Sequence, residues 1–329
     1  NMIRGLDHSN RDTSDAPLWL FVATSDLVSH PKGGEAILDL PCPSPSRPLR
    51  KVLNDIADYY WHGAANGIRA DHDSALVYSP AHFTWMDTNF PAATPRAGYP
   101  VEIQALWIFA LEFLAAHGGD PLCAERAKLA RRSLEQYFRR PDGRGLADCL
   151  HAPTPDTPAS KATPDDACRP NQLLAVTLGA VTDLRPVRDI IAATRPLLTP
   201  AGIRSLDDAL VRHPIPVSSK GRPLNDPYRP YWGTYSGDED TQRKPAYHNG
   251  TSWAWMMPSF CEALVMAYGQ TAIPAAKAWI AAAAPQMQRQ CLGYLPEIYD
   301  GNAPHEAKGC SAQAWSMTEF FRIYQKLAT

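Results

Sequence analysis

VEIQALWIFALEFLAAH, residues Val101–His117, followed after Gly118-Gly119-Asp120 by PLCAERAKLARRSLEQYF, residues Pro121–Phe138, is the stretch that decides the fold. In the first segment Ile103, Ala105, Leu106, Ile108, Phe109, Leu111, Phe113 and Leu114 leave no wet stripe, which describes a helix buried on every side. The second carries Glu125, Arg126, Lys128, Arg131, Arg132 and Glu135 on a solvated side, the pattern of a helix with one wet face. A buried helix followed by a half-exposed one is a unit that can repeat around a core.

The alternation recurs in both directions. Upstream, Asp15–His30 (Leu18, Trp19, Leu20, Phe21, Val22, Leu27) reads as a buried helix, with Ser14 as N-cap and Pro17 in the first turn, where its missing N–H does no harm. Leu49–Arg69 reads as its amphipathic partner. Downstream, Pro170–Ala180 with Leu184–Leu198 and Gly250–Tyr268 with Ile273–Gln290 form two more pairs, and Ala312–Lys326 closes the chain. Strand signals are sparse, and Leu292–Ile298 is the one short extended candidate. Two all-α architectures satisfy this pattern: an inner ring wrapped by an outer ring, that is an α/α toroid, or an irregular helical bundle. No heptad persists across the loops, which excludes a coiled coil.

With 329 residues, 45% of them hydrophobic and 20% charged, the chain is long enough for one large core, and we read residues 1–329 as a single domain. A formal charge of -2 gives no field to gather nucleic acid or an anionic membrane surface. No apolar run approaches the roughly 20 residues of a membrane span, and Asn1-Met2-Ile3-Arg4-Gly5 lacks the apolar core of a signal peptide. The seven cysteines (Cys42, Cys123, Cys149, Cys168, Cys261, Cys291, Cys310) are odd in number and scattered, without a CxxC pair. That usage points to a reducing, cytoplasmic setting rather than to a disulfide framework or a zinc site. The 31 prolines crowd into residues 40–48, 152–170 and 213–230, which reads as long irregular loops between helices.

Thr84-Trp85-Met86-Asp87, followed by Ala93-Thr94-Pro95-Arg96-Ala97-Gly98-Tyr99-Pro100-Val101-Glu102-Ile103, carries the chemistry. It sets a carboxylate beside an aromatic ring and an arginine, just ahead of a helix that opens with a second carboxylate. Work on a neutral polyol such as a sugar needs those parts: an acid for the leaving oxygen, a ring for the sugar face, and charged groups for hydroxyls. Asp15, Arg96 and Glu102 stand at loop-to-helix junctions, where a charged group can point into a cavity, although Arg96 and Glu102 can also simply pair. Asn171, Gln172, His248, Asn249 and Gln313 are neutral hydrogen-bonders at the starts of buried helices and suit polyol recognition; helix capping competes for Asn171 and Asn249. Of nine tryptophans, Trp19, Trp85, Trp253 and Trp315 fall inside the motifs that carry a family resemblance, which makes them candidates to stack on sugar C–H faces, whereas Trp61 and Trp279 fall on outer helices and read as packing. His248 has no second His or Cys at helical spacing, and Asp71-His72-Asp73 reads as a solvated loop, so neither a metal nor another cofactor is implied.

These motifs also resemble a known family. TWMD and TPRxGxPVEI, together with Asp15-Ala16-Pro17-Leu18-Trp19, Arg169-Pro170-Asn171-Gln172, Tyr247-His248-Asn249-Gly250-Thr251-Ser252-Trp253, Pro296-Glu297-Ile298-Tyr299-Asp300-Gly301 and Gly309-Cys310-Ser311-Ala312-Gln313-Ala314-Trp315-Ser316, are similar in order and spacing to the glucosidase domain of glycogen debranching enzymes, the amylo-α-1,6-glucosidase family. The resemblance implies an (α/α)6 barrel with its pocket at one mouth, Asp87 as general acid and Glu297 as general base of an inverting glycosidase. Glu306 is the alternative base. The implied reaction removes an α-1,6-linked glucose stub from glycogen or a limit dextrin. A trehalase- or glucoamylase-like toroid enzyme and a non-catalytic carbohydrate-binding scaffold stay open beside it.

The chain departs from the family in one respect. Buried helices begin near Asp15, Val101, Asn171, Gly250 and Ala312, whereas a closed ring of this kind needs six. Asn10-Arg11-Asp12-Thr13 lies too close to the first of them to be the family's upstream segment. The expectation is a C-terminal portion of a longer protein, whose missing N-terminal segment would complete the site, with a divergent protein that has an open ring as the alternative.

Overall fold

The computed structural model describes residues 11–43, 46–90 and 93–328, so the N-terminal Asn1–Gly5 stretch and Asn10 lie outside the described residues. The helices are α1 (Ala16–Ser29), α2 (Leu49–His62), α3 (Val101–Ala116), α4 (Cys123–Phe138), α5 (Gln172–Thr177), α6 (Leu184–Thr194), the single turn α7 (Lys244–Tyr247), α8 (Met257–Tyr268), α9 (Ile273–Ala282) and α10 (Ala314–Ala328). Members of the apolar series pack one on the next: α1 on α3, α3 on α5, α5 on α8, and α8 on α10. The others lie against their outer sides, α2 on α1 and α3, α4 on α3, α6 on α5 and α8, and α9 on α8 and α10. The chain is thus helix-rich, with an inner and an outer series of helices. The two end members of the inner series, α1 and α10, were expected to be buried but are half-exposed, because each has only one inner neighbour: only Leu18, Phe21 and Thr24 are buried in α1, and Leu27, Phe321 and Tyr324 face solvent.

Helix α3 explains why a segment with no polar face is stable. Val101, Ala105 and Ile108 enter one core cluster, with Leu134, Leu173 and Phe260, while Ile103, Leu106, Trp107 and Leu111 enter a second, with Leu18, Phe21 and Leu53. Each such side chain gains about 1.5–3 kcal/mol on leaving water. Two of its polar groups are buried and satisfied: the Gln104 amide exchanges hydrogen bonds with the Val77 backbone, and the Trp107 indole donates to Ala75 O.

Several expected boundaries are corrected. Helix α2 stops at His62 rather than Arg69 because Gly63 takes φ +107, and Arg69–Asp71 instead pairs antiparallel with Leu76–Tyr78. Residues 250–256 do not belong to α8; Ser252–Trp253 is a strand. The expected strand Leu292–Ile298 is realised only at its end, as Ile298–Tyr299. Strands are also more numerous than expected, but none among the described residues exceeds three residues, too short to leave a period-two signal. Ser14 does not cap α1: its hydroxyl meets Ser79 Oγ at 2.8 Å, and Thr13 Oγ1 accepts from Ala16 N at 3.3 Å.

Two small sheets position the site. Gly98–Pro100, Cys149–His151 and Thr163–Pro164 form an antiparallel three-stranded sheet that holds the loop preceding α3. Ala307–Lys308, Ile298–Tyr299, Ser252–Trp253, Gly202–Arg204 and Leu198–Thr199 form, in that order, an antiparallel five-stranded sheet. Trp61 and Trp279 pack as expected of outer helices: Trp61 lies between the Arg126 guanidinium and the stacked His72 ring, and Trp279 is packed against apolar clusters beside α9 and α10.

Candidate active site

The approach to α1 and the first turns of α1 and α10 face a cleft of about 650 Å³, closed by the Thr84–Asp87 segment, the end of α7 and the five-stranded sheet. Asp15, Trp19, Trp85, Asp87, His248, Trp253, Glu297, Gln313 and Trp315 all line it. Residues from five sequence-distant segments therefore converge on one cavity. Glu297 is placed by strand register, since Trp253 and Ile298 are Cα partners and Glu297 N donates to Cys310 O at 2.8 Å.

The two expected catalytic carboxyl groups sit in different surroundings. Asp87 accepts no side-chain hydrogen bond among the described residues; the confinement of the cleft pushes its carboxyl above the usual carboxylate range, and the charges of Asp15 and Glu297 push the same way. Asp87 still faces solvent in the cleft, so this burial is partial. Glu297, in contrast, is held as an acceptor: Tyr247 donates its hydroxyl to Oε1 at 2.5 Å, and the Cys310 amide donates to Oε2 at 3.0 Å. Gly309 makes the second contact feasible, because a Cβ there would stand 2.4 Å from Glu297 Oε2. Asp15 is raised mainly by burial, against a 2.6 Å hydrogen bond from Thr13. Glu306 lies away from the cleft, bound to Lys308 at 2.8 Å.

An aromatic wall surrounds these groups. Trp85 presents or receives ring edges with His248, Trp253, Trp255 and Trp315 at centroid distances of 5.0–6.4 Å. His248 stacks on Trp253, and Trp255 stacks on Trp315 at 4.9 Å. Burial holds the His248 imidazole neutral, well below its ordinary pKa, and its Nδ1 is engaged by Thr88 Oγ1 at 2.7 Å. His248 Nε2, Trp255 Nε1 and Trp315 Nε1 have no protein partner among the described residues, although all three side chains line the cleft. Buried polar atoms normally find a partner, and these three stand without one just behind the aromatic surface of the cleft.

The other expected ligands stand behind that wall. Arg96 and Glu102 are 4% and 1% exposed and form a bidentate pair, both bonds 2.6 Å, with Arg96 Nε also 2.6 Å from Asp148 Oδ2. Asn171 caps nothing: it accepts from the Trp85 indole and donates to Asp148, both at 2.8 Å. Asn249 accepts from Arg169 at 2.8 Å and donates to Ala93 O and Pro245 O, while Gln172 ties Leu146 N to Arg169 O. None of these five reaches the cleft wall.

Tyr247, Trp255, Thr84, Asp12, Thr13, Thr318 and Glu319 line the cleft without having been singled out from sequence, as does Ala16. Tyr247 directly precedes His248, and Trp255 repeats Trp253 two residues on; both signals were legible. Asp148 carries none, because only folding brings it to Arg96 and Arg169. Among the described residues no group of three or more His, Cys, Asp and Glu is arranged to hold a metal ion. No helix among them is long and apolar enough to cross a membrane.

Comparison with solved structures finds a GH78 family rhamnosidase of Bacillus sp. GL1 at 17% identity and a TM-score of 0.57, with 95% of this chain covered and 26% of that one. The chain thus spans about a quarter of that protein's length, and the likeness shows a shared fold. A GH63 mannosylglycerate hydrolase from Thermus thermophilus matches at 15% identity over 69% of this chain and 45% of its own, with a TM-score of 0.40. No curated protein matches the chain. The model of the amylo-α-1,6-glucosidase family matches residues 1–322, nearly the whole length, and the chain accordingly belongs to that family of glycoside hydrolases.

Proposed function

We propose that this chain is the catalytic part of an inverting exo-acting glycosidase that releases α-1,6-linked glucose from the branch points of glycogen or a limit dextrin. Its inner and outer helices are then most of an (α/α)6 toroid, forming one domain that works on a neutral polysaccharide in the cytoplasm. The observation that carries the reading is the presence of Asp87 and Glu297, in unlike surroundings, on the walls of one cleft lined by Trp19, Trp85, Trp253, Trp255 and Trp315.

Asp87, whose carboxyl is held above the usual carboxylate range by the confinement of the cleft, gives its proton to the glycosidic oxygen as the C–O bond to the anomeric carbon breaks. Glu297 takes a proton from a water that adds to the opposite face of that carbon. An inverting reaction leaves room for this water by holding the carboxyl groups about 6.5–9.5 Å apart. His248, neutral and stacked on Trp253, and the Trp255 and Trp315 rings give the sugar a wall without a desolvated charge. Arg96, Glu102, Asn171, Gln172 and Asn249 act from behind, orienting Trp85 and the loop that carries Asp87.

The test is incubation with a branched limit dextrin, followed by proton NMR. Glucose that appears first as the β anomer supports the reading. The α anomer first, glucose from linear α-1,4 chains or trehalose only, or sugar binding without hydrolysis would each overturn it.

A further inference from the structure

A second cavity, of about 330 Å³, opens beside the cleft and shares Asp87 and Tyr247 with it. Its own residues are Thr88, Asn89, Tyr235, Glu239, Arg243 and Lys244. Glu297 and the tryptophans line the large cleft alone. We propose that this cavity is the leaving-group subsite: it binds the first neutral sugar residues of the chain from which the terminal residue is cut.

The assignment follows from which carboxyl group borders which space. In the reaction proposed above, on which this inference rests, water attacks the anomeric carbon from the Glu297 side, so the sugar being released must occupy the cleft that contains Glu297. The proton goes to the oxygen between that sugar and the leaving chain, so the leaving chain must begin beside Asp87, on the side of the bond away from Glu297. The smaller cavity is the space that Asp87 borders and Glu297 does not.

Its chemistry fits a neutral saccharide. The Tyr235 and Tyr247 rings stand 5.5 Å apart at 39°, and the Arg243 guanidinium lies 5.9 Å from the Tyr235 ring. The charges cancel locally: Arg243 is 3.6 Å from Glu239, and Lys244 is 2.6 Å from Asp240 and 3.5 Å from Glu239. A cavity so balanced has no surplus charge for a phosphate or a uronate, whereas tyrosine faces suit the C–H face of a sugar. The floor is also fixed in place, since Tyr235 N donates to Asp300 Oδ1 at 2.7 Å and Lys244 Nζ donates to Phe90 O at 2.9 Å.

Tyr235→Ala tests this with two substrates of one enzyme, a branched maltooligosaccharide bearing a glucosyl stub and α-glucosyl fluoride, whose leaving group occupies no sugar subsite. The ratio of kcat/KM for the oligosaccharide to that for the fluoride is expected to fall at least tenfold, and Arg243→Ala should lower it in the same direction. An unchanged ratio, whether both rates fall or neither does, overturns the subsite. Calorimetric titration of the oligosaccharide into Glu297→Gln, with and without Tyr235→Ala, reads the same cavity without turnover. Weaker binding with Tyr235→Ala supports the subsite even if the wild-type protein hydrolyses neither substrate and the proposed activity is wrong; equal binding contradicts it.

Discussion

The hydroxyl of Tyr247 donates to Glu297 Oε1 over 2.5 Å, joining the last residue of α7 to the residue just before the Ile298–Tyr299 strand. This bond fixes the rotamer of the side chain assigned to activate water. A hydrogen bond to a charged group is worth about 1.5–3 kcal/mol, so Tyr247→Phe should lower kcat roughly 10- to 100-fold with little change in KM. Steady-state kinetics on a branched dextrin check this; a rise in KM at constant kcat would make Tyr247 a sugar ligand instead.

Gly309 sits at φ +68 with its absent Cβ directed at Glu297 Oε2. Gly309→Ala must either move the carboxylate or strain the backbone, the latter costing on the order of 1–3 kcal/mol. Activity should drop more than tenfold while thermal unfolding shifts by a few degrees. A fully active variant would show that the Cys310 amide does not position Glu297.

Arg96 adopts φ +47 and is buried between Glu102 and Asp148, with Arg169 joining the same network 3.5 Å from Asp148. Deleting one partner of a buried pair leaves an uncompensated charge, so Arg96→Ala should destabilise the protein by about 3–5 kcal/mol in denaturant unfolding. Arg96→Lys should not restore the loss, because an ammonium cannot reproduce the two parallel bonds to Glu102. Wild-type stability in Arg96→Ala would show that the pair does not hold this loop.

The negative charge of Asp15 helps to raise the pKa of Asp87. Removing that charge makes ionisation of Asp87 easier, so its pKa falls. The general acid must be protonated to work, and the alkaline limb of the pH profile for kcat/KM should therefore move to lower pH in Asp15→Asn. An unmoved or upward-shifted limb would disconnect Asp15 from the acid.

The inner and outer helices were legible because helical spacing is written locally in each segment, as Val101–His117 and Pro121–Phe138 show. The short strands were not legible. Pairing of Trp253 with Ile298 depends on residues 45 positions apart and leaves no local period. For the site, the motifs brought Asp87, Glu297, Trp85, Trp253 and Trp315 to one cleft, but they did not separate wall from support. Arg96, Glu102 and Asn171 look like ligands in sequence; Asp148, far along the chain and without a motif of its own, is the partner that draws Arg96 and Asn171 inward, and Glu102 is held there by Arg96.

The roles of Asp87 and Glu297 are tested most directly by the rate of glucose release from a branched limit dextrin with wild type, Asp87→Asn and Glu297→Gln, each first shown to be folded. Each substitution should cost at least about 10²-fold in kcat. A folded variant of either kind that releases glucose at the wild-type rate would contradict the assignment.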